Sequence, residues 1–231
     1  MPNSSPSKSG ARRNMAYDFT AASSQFLTTS MSPLTAEPLT IAAWFNSKSN
    51  AAQVCLVSVD RGASSIGTGT GFHGLILPNN PARTVNATSN DGTFSVATTT
   101  TTYTLNTWNH GCAVFSAANN RTSYLNGGGN VTNTVTRNVT NLANITIGSR
   151  YTTSGTGQFV QGLIAEVGIW NAALTAAEIS ALARGMTCDK IRPQNLVFYA
   201  PLIRDLQDTK GGLSITNNNG ASVTDHPRIY K

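Results

Sequence analysis

Residues 159–182 read FVQGLIAEVGIWNAALTAAEISAL, and the stretch changes character at Asn171. Up to Trp170 it is apolar, rich in β-branched residues and spaced by glycine. That predicts a strand that completes a sheet. Beyond it, Thr175 and Glu178 stand three apart, the spacing at which a Thr hydroxyl and a Glu carboxylate cap each other's backbone amides. Residues 176–184 are good helix formers, Gly185 supplies the stop, and Ile179, Leu182 and Ala183 form an apolar stripe. One long strand should therefore lead into one short surface helix, at about 176–184.

The rest of the chain reads as strand. Leu39, Ile41, Ala43 and Phe45 alternate with Thr40, Ala42, Trp44 and Asn46, so the first set faces a core and Trp44 faces away from it. Residues 108–116 repeat the pattern, with Trp108, His110, Cys112 and Val114 on one face. Asn126 and Gly127 tolerate positive φ and fit a tight hairpin between strands at 121–126 and 131–136. Shorter strands are expected at 16–20, 25–29, 53–60, 72–77, 83–87, 93–97, 145–148 and 196–202, with Asn90, Asp91 and Gly92 turning the chain between the fifth and sixth of these. The Thr98 to Thr102 run has strand propensity but no pattern. The fold class is all-β.

Composition agrees. Charged residues make up only 11% of the 231, and hydroxyl and amide side chains take their place, which suits strands and turns better than long helices. The formal charge of +6 comes from 16 Lys and Arg against 10 Asp and Glu. Its ends are conspicuously basic: Lys8, Arg12 and Arg13 near the start, Arg228 and Lys231 near the finish. That distribution argues against nucleic acid as the partner and for arms that grip a larger assembly. Residues 1–14 thus read as a basic arm, 15–203 as one domain and 204–231 as a C-terminal extension. The opening residues are polar, with no apolar stretch to act as a signal peptide or cross a bilayer, so synthesis in a cytoplasm and no membrane insertion are expected. Cys55, Cys112 and Cys188 lack metal-like spacing and should be buried thiols. The Asn-x-Ser/Thr triplets, such as those at Asn86 and Asn130, are what a chain rich in Asn and Thr generates by chance.

The ordered series of Leu39 to Trp44, Trp108 with His110, Tyr124 to Gly127, Ile147 to Ser149, and then Gly162, Glu166, Trp170, Asn171, Leu174, Glu178, Ile179 and Leu182 resembles the laminin-G-like and concanavalin-A-like lectin family. The likeness runs from Ala16 to about Leu202. It implies a jelly-roll β-sandwich of two antiparallel sheets, in which the first strand, near Tyr17 and Phe19, pairs near the last, 196–199. An Asp often precedes the family's Glu, but here Ala165 precedes Glu166, so no calcium role is carried over. The ending, with Asp225, His226 and Pro227, is similar to that of phage-encoded members.

Catalysis is not expected. Glycoside hydrolysis needs two carboxylates flanking one bond, and Glu166 stands alone on its strand. It should instead be a partly buried acceptor for backbone amides or an Arg. His110 should be a packed histidine beside Trp108, and His73 and His226 are isolated in sequence. Serine-hydrolase, cysteine-protease and zinc chemistry lack their neighbours, the 67–71 glycine loop lacks the Lys-Ser/Thr of a phosphate cradle, and dispersed acids, including Asp60 and Asp91, nominate no metal site. No cofactor is expected. Sugar binding fits better, because a planar aromatic flanked by polar groups can stack on a ring, and Trp44, Arg150 and Tyr151 are the candidates. The expected protein is a non-enzymatic structural virion component of a tailed bacteriophage, decorating the head or built into a fibre or tail. Lys8, Arg12 and Arg13 would hold it to a capsid or tail protein, with a host-surface glycan and copies of itself as further partners. The alternative is a free carbohydrate-binding lectin module.

Overall fold

A computed structural model describes residues 15–29, 34, 36–203 and 205–225. The arm residues Lys8, Arg12 and Arg13, and the basic residues Arg228 and Lys231, lie outside these. In chain order the strands are β1 (Met15–Phe19), β2 (Phe26–Thr29), β3 (Leu39–Ser47), β4 (Val54–Asp60), β5 (Phe72–Leu77), β6 (Asn86–Asn90), β7 (Phe94–Thr98), β8 (Asn109–Ala117) and β9 (Asn120–Leu125). They continue as β10 (Gly128–Asn133), β11 (Asn144–Ile147), β12 (Arg150–Thr152), β13 (Gly155–Gly157), β14 (Gly162–Trp170), β15 (Leu196–Ala200), β16 (Thr216–Asn218) and β17 (Ser222–Asp225), with the helix α1 (Ala176–Ala183) between β14 and β15.

Two antiparallel sheets face each other, as a jelly-roll sandwich requires. Sheet A runs β10-β9-β8-β3-β14-β1-β17, with β15 also on β14, and sheet B runs β16-β2-β11-β4-β5-β6-β7. The alternation read from the sequence is the cause of the layering: Leu39, Ile41, Ala43 and Phe45 are fully buried between the sheets. They meet Leu56, Val57, Val59 and Leu75 from the other layer. Each such large side chain contributes about 1.5–3 kcal/mol through its removal from water. Asn126 and Gly127 both take positive φ, and β9 and β10 flank them as a hairpin.

Polar side chains stitch the two layers together at the β7–β10 side. Arg121 of β9 is buried with all of its nitrogens engaged, to Ser89 and Ser95 of sheet B, Asn133 of sheet A and the carbonyls of Ala118 and Val135. Ser89 Oγ in turn lies 2.9 Å from His73 Nδ1, and His73 Nε2 lies 3.0 Å from Glu37 Oε1. His73, isolated in sequence, is thus the centre of a buried chain from Arg121 to Glu37. His73 Nε2 faces the Glu37 carboxylate, so the imidazole proton belongs on Nε2 and Nδ1 accepts from the Ser89 hydroxyl. Burial holds His73 below the ordinary histidine range, in its neutral form.

The outer face of sheet A carries a second apolar layer. Ile179 and Leu182 of α1 pack with Leu174, Trp170, Cys112, Val114 and Tyr199, and Trp170 Nε1 donates to the Ile191 carbonyl at 2.8 Å. Thr175 and Glu178 form the expected capping box, and Glu178 also takes a bidentate pair from Arg192 at 2.9 and 2.6 Å. The three cysteines are buried free thiols.

Two expectations are refined. β1 lies near β15, on the same edge of β14, without pairing with it: Tyr17 pairs with Ile164 of β14 and with Val223 of β17, and β15 lies on β14 farther along, where Val167 meets Ala200. The turn-rich tail had hidden β17, whose short pattern carries no alternation. Among the described residues, Glu166 accepts from neither backbone amides nor an Arg. It occupies a bulge in β14, with φ 53, and its carboxylate takes the phenolic proton of Tyr199.

Candidate functional site on the outer face of sheet B

The side of β5 that faces away from the core presents Phe72, Gly74 and Ile76, since His73, Leu75 and Leu77 point inward. Phe72 and Ile76 form a small apolar cluster with Cys55 of β4. A Cβ on Gly74 would lie 3.3 Å from both of them, so the glycine lets the two side chains close over the strand. Cross-strand register continues this face through Asn86, Thr88 and Asn90 of β6 and Phe94 of β7.

The β12–β13 hairpin brings Arg150 and Tyr151 onto this face. The Arg150 guanidinium lies 4.5 Å from the Phe72 ring centroid and 5.9 Å from that of Phe94, a cation–π arrangement. Its Nε donates to Gln158 Oε1 and its Nη1 to the Tyr151 carbonyl, both at 2.8 Å. Nη2 makes no hydrogen bond among the described residues, yet it is not sealed from solvent. Phe94 is 51% exposed and stands edge-on to Phe72 at 6.1 Å. Farther along, Asn86 Oδ1 is buried without a partner.

Beside Arg150 sits Asp60, only 1% exposed. Its carboxylate accepts from Ser58 Oγ at 2.6 Å and the Gly62 amide at 2.8 Å, and more weakly from Asn144 and Thr146 at 3.4 and 3.3 Å. Burial raises its pKa against these donors and, with the Asp60 charge added, also raises the Tyr151 phenol.

 
Trp44 is half-buried on the outer face of sheet A, edge-on to His110 at 5.4 Å, so the sandwich separates it from Arg150 and Tyr151. His110 is packed, as expected, and burial drives its pKa down to about 3. Phe72 and Phe94 escaped the sequence reading because only strand register shows that they share a face with Arg150. The Ser89, His73 and Glu37 side chains meet in space, but Ser89 and His73 lie between the sheets, out of reach of a substrate. Among the described residues no group of three or more His, Cys, Asp or Glu is placed to hold a metal ion, and no helix is long and apolar enough to cross a membrane.

A family model described as the concanavalin A-like lectin/glucanases superfamily matches residues 20–180. The chain belongs to that superfamily. Among solved structures, this lectin-like chain is similar to the SAP-like pentraxin of Limulus polyphemus, with a TM-score of 0.63 and 15% identity over 93% of this chain and 96% of the pentraxin. It is similar also to a putative carbohydrate binding protein from Bacteroides ovatus, with a TM-score of 0.65 and 14% identity over 93% of this chain and 60% of the other. The enzymatically active domain of tailspike protein 2 from bacteriophage CBA120 matches with a TM-score of 0.57 and 14% identity, over 86% of this chain and 35% of that one. At such identities the likeness is one of fold. A search of curated protein sequences finds no match.

Proposed function

We propose that this lectin-like jelly roll is a non-enzymatic carbohydrate-binding module, and that the outer face of sheet B is where it holds a glycan. The observation that carries the reading is Arg150 set against Phe72 and Phe94 with Nη2 left over. An exposed ring offers a stacking surface for the apolar face of a sugar, and a fixed donor beside it orients a hydroxyl or ring substituent. A glycan array probed with and without calcium tests this: binding that is lost in Phe94→Ala supports it, and a silent array from folded protein refutes it.

The module's proposed setting is a tailed-phage virion, made in the host cytoplasm and held to a capsid or tail protein. One geometric feature favours this second reading: Met15 of β1 pairs with Asp225 of β17, so both basic ends leave the sandwich from one edge. Two arms starting side by side can grip a single neighbour, and on a repeating lattice their attachment gains from avidity. Mass spectrometry of purified particles should detect the chain, and its absence from them would overturn the setting. Removing residues 1–13 should leave the sandwich folded and weaken its retention on particles.

A further inference from the structure

We infer that the glycan bound on the outer face of sheet B carries a carboxylate, received by Nη2 of Arg150; this rests on the sugar-binding reading above. Among the described residues two arginines are deeply buried, and they differ in how they are satisfied. Arg121 has Nε, Nη1 and Nη2 all donating to protein oxygens. Arg150 is only 6% exposed, yet it spends Nε and Nη1 on the neutral oxygens of Gln158 and Tyr151, and Nη2 on nothing among the described residues.

A buried guanidinium is costly unless an anion compensates it, and no carboxylate of the described residues lies within ion-pair distance of Arg150. Asp60 is close enough to be felt electrostatically. Its oxygens, however, are occupied by Ser58, Gly62, Asn144 and Thr146, which fix it on the floor rather than on the guanidinium. Phe72 and Phe94 flank the guanidinium, and Gln158 and Tyr151 occupy Nε and Nη1, which leaves Nη2 as the side open to a ligand. A carboxylate oxygen fits this opening, and charge-assisted pairing there is stronger than a contact to a neutral hydroxyl. Phe94 supplies the neighbouring surface for the sugar ring that bears the acid. The ligand class is therefore an oligosaccharide that bears its charge as a carboxylate, with uronic-acid chains as the probes.

The test uses the full chain and an array of oligogalacturonates, oligoglucuronates, oligomannuronates and oligoguluronates, printed beside their methyl esters and beside sulfated neutral oligosaccharides. At least one uronate should bind about ten-fold more tightly than its ester, with the ratio shrinking as salt rises. Arg150→Gln should bring the ratio to one, while Phe94→Ala weakens acid and ester together. Should Arg150→Gln fail to fold, the acid-to-ester ratio on the unmodified protein decides alone. Equal binding of acid and ester overturns the carboxylate and leaves sugar binding standing. Stronger binding to the sulfated probes also overturns it. Binding to none of the probes on an array where neutral glycans bind removes the acid but not the module, and silence towards all glycans removes both.

Discussion

Tyr199 donates its phenolic proton to Oε2 of Glu166 at 2.5 Å, at the bulge where β14 exchanges β1 for β15 along one edge. Burial raises the Glu166 carboxyl to about 7, the Asp189 charge adds to this, and the Tyr199 hydrogen bond only partly opposes it. Glu166 also holds a left-handed backbone, with φ 53. Its carbonyl accepts from the Cys188 thiol, which ties the bulge to the apolar layer over sheet A.

Stability should therefore fall as pH rises from about 4.5 to 7. The folded carboxyl keeps its proton up to about pH 7, whereas the unfolded one releases it near the ordinary 4.5. Across that window the folded state binds more protons, so the contribution of this group is fully present below 4.5 and lost above 7, on the order of 3 kcal/mol. Thermal unfolding at pH 5 and pH 8 checks this. Glu166→Gln, which keeps an acceptor for Tyr199, should flatten the dependence; an unchanged slope in the variant would count against it.

His73 should titrate below the ordinary histidine range, with the proton of its neutral form on Nε2. Long-range proton–nitrogen correlation spectra distinguish the tautomers from the imidazolium. An imidazolium that persists above pH 6.5 in the folded protein would contradict the burial of this ring. Arg121→Met should cost about 3 kcal/mol or more, because Ser89, Ser95 and Asn133 would then be left with unmet bonds in the interior.

Thr175→Ala removes half of the capping box on α1, and a loss of about 1 kcal/mol is expected in denaturant unfolding. Glycan affinity should not change, since α1 covers sheet A and the proposed site lies on sheet B. A loss of affinity without a loss of stability would show that the two faces are coupled.

Gly162→Ala should be far more damaging than its size suggests. Gly162 has φ +148, and an added Cβ would sit 2.2 Å from the Asn46 carbonyl oxygen. Backbone strain of about 1–3 kcal/mol is expected before the clash is counted. The melting temperature should drop by at least about 5 °C.

Much of the fold was legible because one physical signal repeated. Period-two alternation marked β3 and β8, positive-φ residues marked the β9–β10 turn, and the Thr175–Glu178 spacing marked α1. β16 and β17 were missed because strands as short as Thr-Asn-Asn and Ser-Val-Thr-Asp owe their existence to the sheet edges they join. The Thr98 to Thr102 run shows the converse: its propensity was high, but β7 ends at Thr98. Arg150 and Tyr151 were visible as a polar and aromatic pair. Their surroundings were not, since Phe72 and Phe94 come to Arg150 through the register of three strands and the fold-back of a hairpin. The same holds for Glu37, His73, Ser89 and Arg121, which no spacing connects.

The pairing of Met15 with Asp225 has an engineering consequence. A domain whose first and last strands are hydrogen-bonded neighbours can be spliced into one exposed loop of an unrelated carrier without a long spacer, because the entry and exit points already stand a strand's width apart, roughly 5 Å. For the same reason residues 15 and 225 can be joined by a short linker and new ends opened at an exposed turn such as Asp91–Gly92. The circularly permuted sandwich should then present Phe94 and Arg150 as before, with its chain ends on a different edge.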